Sequence, residues 1–332
     1  CMGMTDNQKN IIGSILMNMS NNTQPITEEM IEKLVDMNDS MNAMMYGTPP
    51  LTPEERAQVI AELHAKLFIR IDRGHFVKEK DHNPWYMAAK AGLSSKFWDR
   101  YRLYLLKEKH WNGDTVNELD KTTDEVMDLL GNPGQSEGFM RRGLCIGDVQ
   151  SGKTSTYIGL INKAADANYR VIILLTGTIE KLRRQTQQRI DEGFIGLDSY
   201  AFTLERDNVK VGVGAIDEST SGWAVTSTTS DFNAATAKKV VGQLANISAP
   251  VIFVLKKNKS VLEKLEHWLR FYNANKTTKK IDLPMLLIDD EADNASVNTK
   301  ADDVTAINKG IRKLLALFEK ANYVGFTATP YA

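Results

Sequence analysis

Residues 144–154 read LCIGDVQSGKT, an apolar tripeptide followed by an octet that matches G-x-x-x-x-G-K-[ST] at every fixed position. In this pattern the glycines let backbone N–H groups curl around phosphate oxygens, and the following helix directs the positive end of its dipole at the same anion. The octet follows an apolar strand and precedes a helical pattern, which is the context that a phosphate loop requires. The residues predicted to bind the phosphates of ATP are Gly147, Asp148, Val149, Gln150, Ser151, Gly152, Lys153, Thr154 and Ser155.

Another apolar strand ends in acidic residues, since residues 284–293 read PMLLIDDEAD. Four acids within five positions repel one another unless a cation or a catalytic role offsets the repulsion. With a phosphate loop upstream, we predict that Asp290 and the Thr154 hydroxyl hold Mg²⁺, and that Glu291 polarises the attacking water. Lys153 completes the predicted catalytic set, and Asp289 has no assigned role. The alternative interpretation is an acidic loop exposed to solvent.

The two parts of the chain differ in periodicity. C-terminal to Met140, short apolar strands alternate with helical patterns, which predicts a parallel sheet covered by helices on both faces. The predicted strands cover residues 144–146, 171–175, 251–255, 285–288 and 323–326. The segment 198–246 is rich in Ser and Thr and fits this pattern poorly, so it is interpreted as an insertion or a flexible loop. We therefore predict an α/β domain of the RecA-like P-loop class over residues 136–332.

N-terminal to Met140 the apolar residues recur at helical spacing, which predicts an all-helical N-terminal domain over residues 1–135. One helix start is marked by Thr52, Pro53 and Glu55, the pattern of a capping box with proline at the first helical position. A group of aromatic residues follows; such residues can stack nucleic-acid bases, but a packed core face is favoured. Its members are Trp85, Tyr86, Phe97, Trp98, Tyr101, Tyr104 and Trp111.

The composition excludes several classes of protein. With 42% hydrophobic residues, 25% charged residues and a formal net charge of −1, any nucleic-acid contact must come from a local basic patch. Two cysteines imply no disulfide framework, and no apolar run approaches the ~20 residues that span a bilayer. The five histidines lack the spacing of metal ligands. We predict a soluble, cytoplasmic protein with no membrane partner.

Four basic residues are predicted to contact nucleic acid. Arg183 and Arg184 lie on the helix after the second strand, and Lys256 and Lys257 follow the third. Because loops after successive parallel strands emerge at the edge that carries the phosphate loop, these side chains should converge there. Basic side chains in such a place can bind backbone phosphates. The alternative is a solvated helix face.

Two further motifs carry a resemblance to a known superfamily. Asp290-Glu291-Ala292-Asp293 spells the DEAD motif of the superfamily-two helicases and translocases, and Thr327-Ala328-Thr329 looks like their S/T-A-T coupling motif. In order and spacing the chain resembles the first motor domain of that superfamily, and the resemblance assigns coupling roles to Asp293, Thr327 and Thr329. With Thr176-Gly177-Thr178 and residues 191–196, the phosphate loop is similar to one branch, the Z-one domain family. That family is often labelled an endonuclease and is found near helicase-like and DNA-defence proteins.

This resemblance, which runs from about Trp111 to the C-terminus, implies ATP-coupled work on nucleic acid, with DNA favoured over RNA. Superfamily-two motors need a second RecA-like domain whose arginine finger completes the ATP site, and the sequence ends at Ala332, directly after the coupling motif. We therefore expect a fragment that lacks its second motor domain and binds nucleic acid weakly on its own. Nuclease or defence-system proteins are candidate partners, and restriction or phage defence is the candidate setting.

The leading hypothesis is an ATP-hydrolysing, helicase-like motor module, and two alternatives remain open at this point. One is a nucleotide-gated switch that binds partners with little or no hydrolysis. The other is an ATP-dependent endonuclease subunit whose cutting site lies outside the phosphate loop or on another chain. Asp72, Glu79 and Lys80 loosely suggest a nuclease metal cluster, but acid–lysine groups of this kind are common on solvated faces.

Overall fold

The computed structural model describes residues 4–19, 28–60, 63, 83–146, 153–202, 209–240, 242–291 and 301–327. The chain divides into two compact units, Cys1–His75 with Ile146–Gly152 and Phe76–Cys145 with Lys153–Ala332. No helix in these described ranges has the length and apolar character needed to cross a membrane.

The first unit contains α1 (Asp6–Met19), α2 (Glu28–Tyr46) and α3 (residues 53–60). The predicted capping box is present at the start of α3: the Glu55 N–H donates to Thr52 Oγ1 at 3.2 Å, and the Thr52 N–H donates to Glu55 Oε2 at 2.9 Å. These bonds satisfy backbone donors that the first helical turn leaves without partners. The apolar stripes of the helices then form one small core, which includes Ile11, Ile15, Val35, Val59 and Leu63.

The second unit combines a sheet with helices on both of its faces. Its helices are α4 (Tyr86–Ala89), α5 (Lys96–Lys107), α6 (Gly113–Leu129), α7 (Lys153–Asp166), α8 (Glu180–Ile190), α9 (Ser199–Phe202), α10 (Val213–Ile216), α11 (Ala234–Val240), α12 (Lys259–Asn273) and α13 (Ala301–Ala316). Its strands are β1 (Phe139–Ile146), β2 (Val171–Thr176), β3 (Trp223–Ala224), β4 (Val251–Lys256), β5 (Met285–Asp289) and β6 (Lys320–Thr327). A π-helical turn, Asp191–Ile195, continues α8.

The strands form one parallel sheet in the order β1-β6-β5-β2-β4-β3, so the predicted α/β class and the parallel sheet are confirmed. Along β2, Val171 and Ile173 belong to the apolar cluster on one face, whereas Ile172 and Leu174 belong to the cluster on the other. Every residue of β2 is buried for this reason. Continuous apolar strands are the sequence pattern that such a two-sided covering produces.

The segment 198–246 differs from its predicted character as an insertion or flexible loop. It supplies β3, which adds a sixth strand beside β4, and its Phe232 and Leu244 lie in the core. The hydroxyl-rich composition is misleading because the buried hydroxyl of Thr226 bonds to β4 and to α8. Thr226 Oγ1 accepts the Val254 N–H at 2.9 Å and donates to Gln187 Oε1 at 2.7 Å, and all three residues are buried. The interpretation as a loop is therefore wrong for this part of the segment.

The aromatic group predicted to be a core face is confirmed as one. Trp98, Tyr101 and Tyr104 of α5 are buried in the cluster that also contains α7 and one face of the sheet. Asp166, the last residue of α7, accepts hydrogen bonds from the N–H groups of Phe97 at 3.1 Å and Trp98 at 2.9 Å. It thereby provides acceptors for backbone donors that the first turn of α5 leaves without partners. Helices α5 and α6 thus share a core with the sheet, and the domain boundary at residue 135 stays a prediction.

A buried lysine ties α6 to α7. Lys163 Nζ lies 2.5 Å from carboxylate oxygens of both Asp120 and Asp124 and 4.4 Å from the centre of the Trp98 ring, and its side chain has no exposed area. Burial lowers the pKa of Lys163, while the two carboxylates oppose that shift. Lys90 shares Asp124, with its Nζ 2.6 Å from the other carboxylate oxygen. This group of two lysines and two aspartates lies between helices at the core, so its role is to stabilise the fold.

Lys163→Met should therefore lower the free energy of unfolding by about 3 kcal/mol, because it leaves Asp120 and Asp124 with Lys90 as their remaining partner. Urea denaturation provides the measurement. Lys121→Met is the matched control. Lys121 lies on α6, the helix that carries Asp120 and Asp124, and forms an exposed ion pair with Glu118 at 3.0 Å. That change should cost less than about 1 kcal/mol. Equal losses in the two variants would contradict a structural role for the buried cluster.

Candidate active site

The carboxyl ends of the strands meet at one edge of the sheet. In the parallel register Leu175 pairs with Asp289, Thr176 pairs with Lys256, and Asp289 pairs with Gly325. Helix α7 begins at the same edge, because its first residue, Lys153, forms an ion pair with Asp290. Binding sites of open parallel sheets lie outside this end of the strands.

Lys153 and Asp290 are in direct contact at this edge. Lys153 Nζ lies 3.0 Å from Asp290 Oδ1 and also donates to the Asp290 carbonyl oxygen. Burial raises the pKa of Asp290, and the ammonium of Lys153 acts against that shift. A lysine and an aspartate that are separated by 137 positions in sequence thus share one location. The motifs from which these two residues were predicted are brought together.

The donor set around Asp290 is suited to a hydrated divalent cation. Within the described residues, Asp290 Oδ1 is buried and accepts no hydrogen bond of ordinary geometry, and Lys153 Nζ lies 3.0 Å from it. The same part of the chain contains no group of three or more His, Cys, Asp or Glu residues arranged to hold a metal ion. Mg²⁺ is commonly bound by one or two protein oxygens together with substrate phosphates, so the buried Asp290 Oδ1 fits it.

Asp289, which had no predicted role, is a buried anchor. Both of its carboxylate oxygens contact Lys257 Nζ, at 3.0 Å and 2.8 Å, and Tyr323 donates its hydroxyl to Oδ2 at 3.0 Å. The Glu291 N–H donates to Oδ1 at 3.3 Å. Lys257 also donates to the Glu291 carbonyl oxygen at 2.8 Å. Asp289 and Lys257 therefore fix the end of β5 and the turn that follows it.

Two contacts place Glu291 and Thr154 relative to neighbouring elements. The carboxylate of Glu291 lies against Gly177, where a Cβ atom would be 2.6 Å from Oε2. Thr154, in the first turn of α7 with Ser155, accepts a hydrogen bond from Arg189 Nη1 at 3.1 Å. The sequence pattern did not single out Arg189 for this site, because it comes from α8, 35 positions away.

Several predicted site residues lie outside the described residues. They are residues 147–152 of the phosphate loop, Asp293 and Thr329, together with Asp72, Glu79 and Lys80 of the nuclease alternative. Thr327 is the last residue of β6, and its side chain also lies outside the description.

The four basic residues predicted to bind nucleic acid divide into two pairs. Arg183 has no exposed area, and it donates to Glu180 Oε1 at 2.8 Å and to the Ser227 carbonyl oxygen at 2.9 Å. Lys257 is also buried, as described above. Their burial and internal partners are incompatible with contacts to a phosphate backbone, so the prediction is corrected for these two residues.

The other two basic residues remain accessible. Arg184 has a side chain that is 56% exposed, and that of Lys256 is 28% exposed. Both contact Glu180, at 3.3 Å and 3.1 Å. Burial acts to raise the pKa of Glu180, but hydrogen bonds from Arg183 and Lys256 outweigh it and lower the pKa to about 2. One carboxylate among these cations leaves a local excess of positive charge beside the site.

The family comparison agrees with this geometry. A family model described as ResIII, type III restriction enzyme, res subunit, matches residues 140–332. Comparisons with curated proteins and with solved structures gave no match. The family match supports the resemblance to the superfamily-two P-loop ATPases, which generally use ATP and Mg²⁺, and gives no support to the narrower Z-one name. The chain belongs to the ResIII family and carries its helicase-like P-loop ATPase domain.

Proposed function

We propose that this chain is an ATP-hydrolysing, helicase-like motor module that acts on nucleic acid, with DNA as the favoured substrate. The observation that carries the proposal is the contact between Lys153 and Asp290 at the carboxyl edge of the sheet. Lys153 opens helix α7 and Asp290 directly follows strand β5, and P-loop enzymes use a lysine and an acid at these places for the phosphates and the cation. The family name, a restriction enzyme subunit, is consistent with DNA as the substrate.

The chemistry assigned to each residue follows from its charge. When ATP binds, the Lys153 ammonium exchanges Asp290 for the β- and γ-phosphates, to which its point charge is suited. Asp290 and the Thr154 hydroxyl are then available to hold Mg²⁺, which when bound would neutralise charge on the phosphates. Arg189 donates to the Thr154 hydroxyl oxygen, and because its positive charge would repel a cation on that oxygen, we expect this contact to lengthen when Mg²⁺ is held there. Glu291 accepts a proton from the attacking water as general base.

The biological setting and the partners are part of the proposal. Restriction is the setting that the family description names, and phage defence is added from the sequence resemblance, which also makes nuclease or defence-system proteins the candidate partners. A second RecA-like domain would supply the arginine that stabilises charge on the transferred phosphate group. Asp293, Thr327 and Thr329 are proposed to couple ATP hydrolysis to work on nucleic acid, and these roles rest on the sequence motifs alone.

The proposal is tested in a protein that carries this chain together with a second RecA-like domain, by measuring phosphate release from Mg-ATP with and without DNA or RNA. Hydrolysis stimulated by DNA is the expected result. Hydrolysis that neither nucleic acid changes would contradict a motor and favour the nucleotide-gated switch. Magnesium-dependent DNA cleavage that survives Lys153→Ala would instead favour the endonuclease alternative, since that activity would not depend on the phosphate site.

The accessible basic residues give a separate prediction for nucleic-acid binding. Replacing both Arg184 and Lys256 with alanine should make the salt dependence of DNA affinity shallower, by about 0.7–0.9 in slope for each DNA phosphate that is no longer neutralised, with ATP affinity unchanged. Fluorescence anisotropy across a salt series measures the slope. The matched control replaces Lys264 and Arg270, two exposed basic residues of α12. If the variant that lacks Arg184 and Lys256 has the same slope as the wild type, these two residues do not contact DNA phosphates.

A further inference from the structure

The turn that carries Glu291 is held by residues from two neighbouring strands. Lys257, the first residue after β4, donates from Nζ to the Glu291 carbonyl oxygen at 2.8 Å. Gly177, the first residue after β2, lies against the Glu291 carboxylate. The Lys257 N–H donates to the Gly177 carbonyl oxygen at 3.3 Å, so the two residues are joined. From these contacts we propose that Lys257 and Gly177 are positioning residues that set the place of Glu291 in the hydrolysis proposed above.

The contacts of Lys257 go beyond those of an ordinary buried ion pair. Strand β2 lies between β4 and β5 in the sheet, so Lys257 reaches across the end of β2 to contact Asp289. A lysine ammonium has three donors, and here they face both oxygens of Asp289 and the carbonyl of Glu291. The ion pair would be complete with Asp289 alone. The additional bond to Glu291 fixes the distance between the strand end and the proposed base.

Gly177 leaves the space that this arrangement occupies. A Cβ atom at position 177 would lie 2.6 Å from Glu291 Oε2 and 2.9 Å from Oε1, which is closer than real contacts of this kind. The backbone of Gly177 lies outside the left-handed region, so alanine is allowed there. The obstructed atoms belong to the end of a flexible side chain, and the cheapest response is a shift of the carboxylate. Gly177→Ala thus displaces Glu291 while leaving the backbone in place.

The test uses a protein that carries this chain together with a second RecA-like domain, and it measures kcat and KM for ATP and the affinities for ADP and for ADP–aluminium fluoride. In Gly177→Ala, kcat should fall about a hundredfold, because a misplacement of about 1 Å in a catalytic group has that effect. The KM for ATP and the affinity for ADP should stay at wild-type values. The preference for ADP–aluminium fluoride over ADP should fall with kcat, because a transition-state analogue depends on the same alignment. Lys257→Met should lower kcat by up to about a hundredfold, because it removes the bond that fixes the backbone of Glu291.

Lys163→Met is the control for loss of a buried ion pair. It should lower the melting temperature but leave kcat unchanged at a temperature where all variants are folded. If Lys257→Met behaves in the same way, with kcat and the analogue preference retained, Lys257 is merely structural and the inference is overturned for it. If Lys257→Met does not fold, Gly177→Ala decides, and wild-type kcat in that variant overturns the inference. A wild type that neither binds nor hydrolyses Mg-ATP would overturn the proposed function itself, and the positioning roles with it.

Discussion

Glu291→Gln should lower kcat for ATP hydrolysis by about 10²–10⁴, the usual contribution of a positioned general base. The amide has nearly the shape of the carboxylate but cannot accept a proton from water. The backbone of residue 291 is held by Asp289 and Lys257, and these bonds do not involve the side chain. Melting temperature and ADP affinity should therefore match the wild type.

Phosphate release under single-turnover conditions separates this loss from slow product release. Glu263→Gln, on the exposed face of α12, is the matched control and should hydrolyse ATP at the wild-type rate. The role of Glu291 as base is refuted if Glu291→Gln keeps its kcat within a few fold of that control.

Lys153→Ala should weaken ATP binding by about 2–4 kcal/mol, as expected when one partner of a buried charge pair is truncated. The change removes the ammonium that is assigned to the β- and γ-phosphates. In the free protein it also removes the cation beside Asp290, whose pKa burial already raises. Asp290 should then be protonated over a wider pH range, which makes it a poorer ligand for a cation.

Isothermal titration calorimetry with Mg-ATP measures the change in affinity. Lys264→Ala removes an exposed lysine from α12 and should bind ATP as the wild type does. Equal affinities in the wild type and Lys153→Ala would remove the basis for the phosphate site.

Most of the fold follows from the sequence because the sheet is covered on both faces. Strands β2, β4 and β5 are apolar along nearly their whole length, and a run of this kind is visible without knowledge of the partners. Strand β3 has two residues, Trp223–Ala224, which is too short to show any periodicity. The segment around it is held by hydroxyl and backbone contacts such as those of Thr226. Such contacts join residues that are distant in sequence, so they can be identified only once the neighbouring elements are in place.

The candidate site was predictable where its chemistry is local in sequence. Lys153, Asp290 and Glu291 belong to motifs of a few residues, and the structure brings Lys153 and Asp290 together. The contact between Lys257 and Asp289 was not predictable, because it depends on the sheet order that places β4 and β5 on either side of β2. An isolated lysine after a strand resembles any other surface lysine in the sequence.

The assignment of Arg183 was wrong for a reason of helix geometry. Adjacent residues of a helix point about 100° apart, so Arg183 can face the sheet while Arg184 faces solvent. The buried stripe of α8 consists of Arg183, Thr186, Gln187 and Ile190, which have helical spacing but are mostly polar. A search for apolar periodicity misses a stripe of that composition. Its buried hydrogen bonds, to Glu180 and Ser227 among others, take the place of apolar packing.

The central claim is that Lys153 and Asp290 form the phosphate and magnesium site of an ATPase, and a crystal structure with Mg²⁺ and a non-hydrolysable ATP analogue tests it most directly. The distance to be measured joins Lys153 Nζ and Asp290 Oδ1, which lie 3.0 Å apart in the structure described above. We predict that this contact opens, that Nζ donates to β- or γ-phosphate oxygens, and that Asp290 faces the cation. A bound nucleotide that leaves the contact at its present length, or that binds elsewhere, would contradict the account.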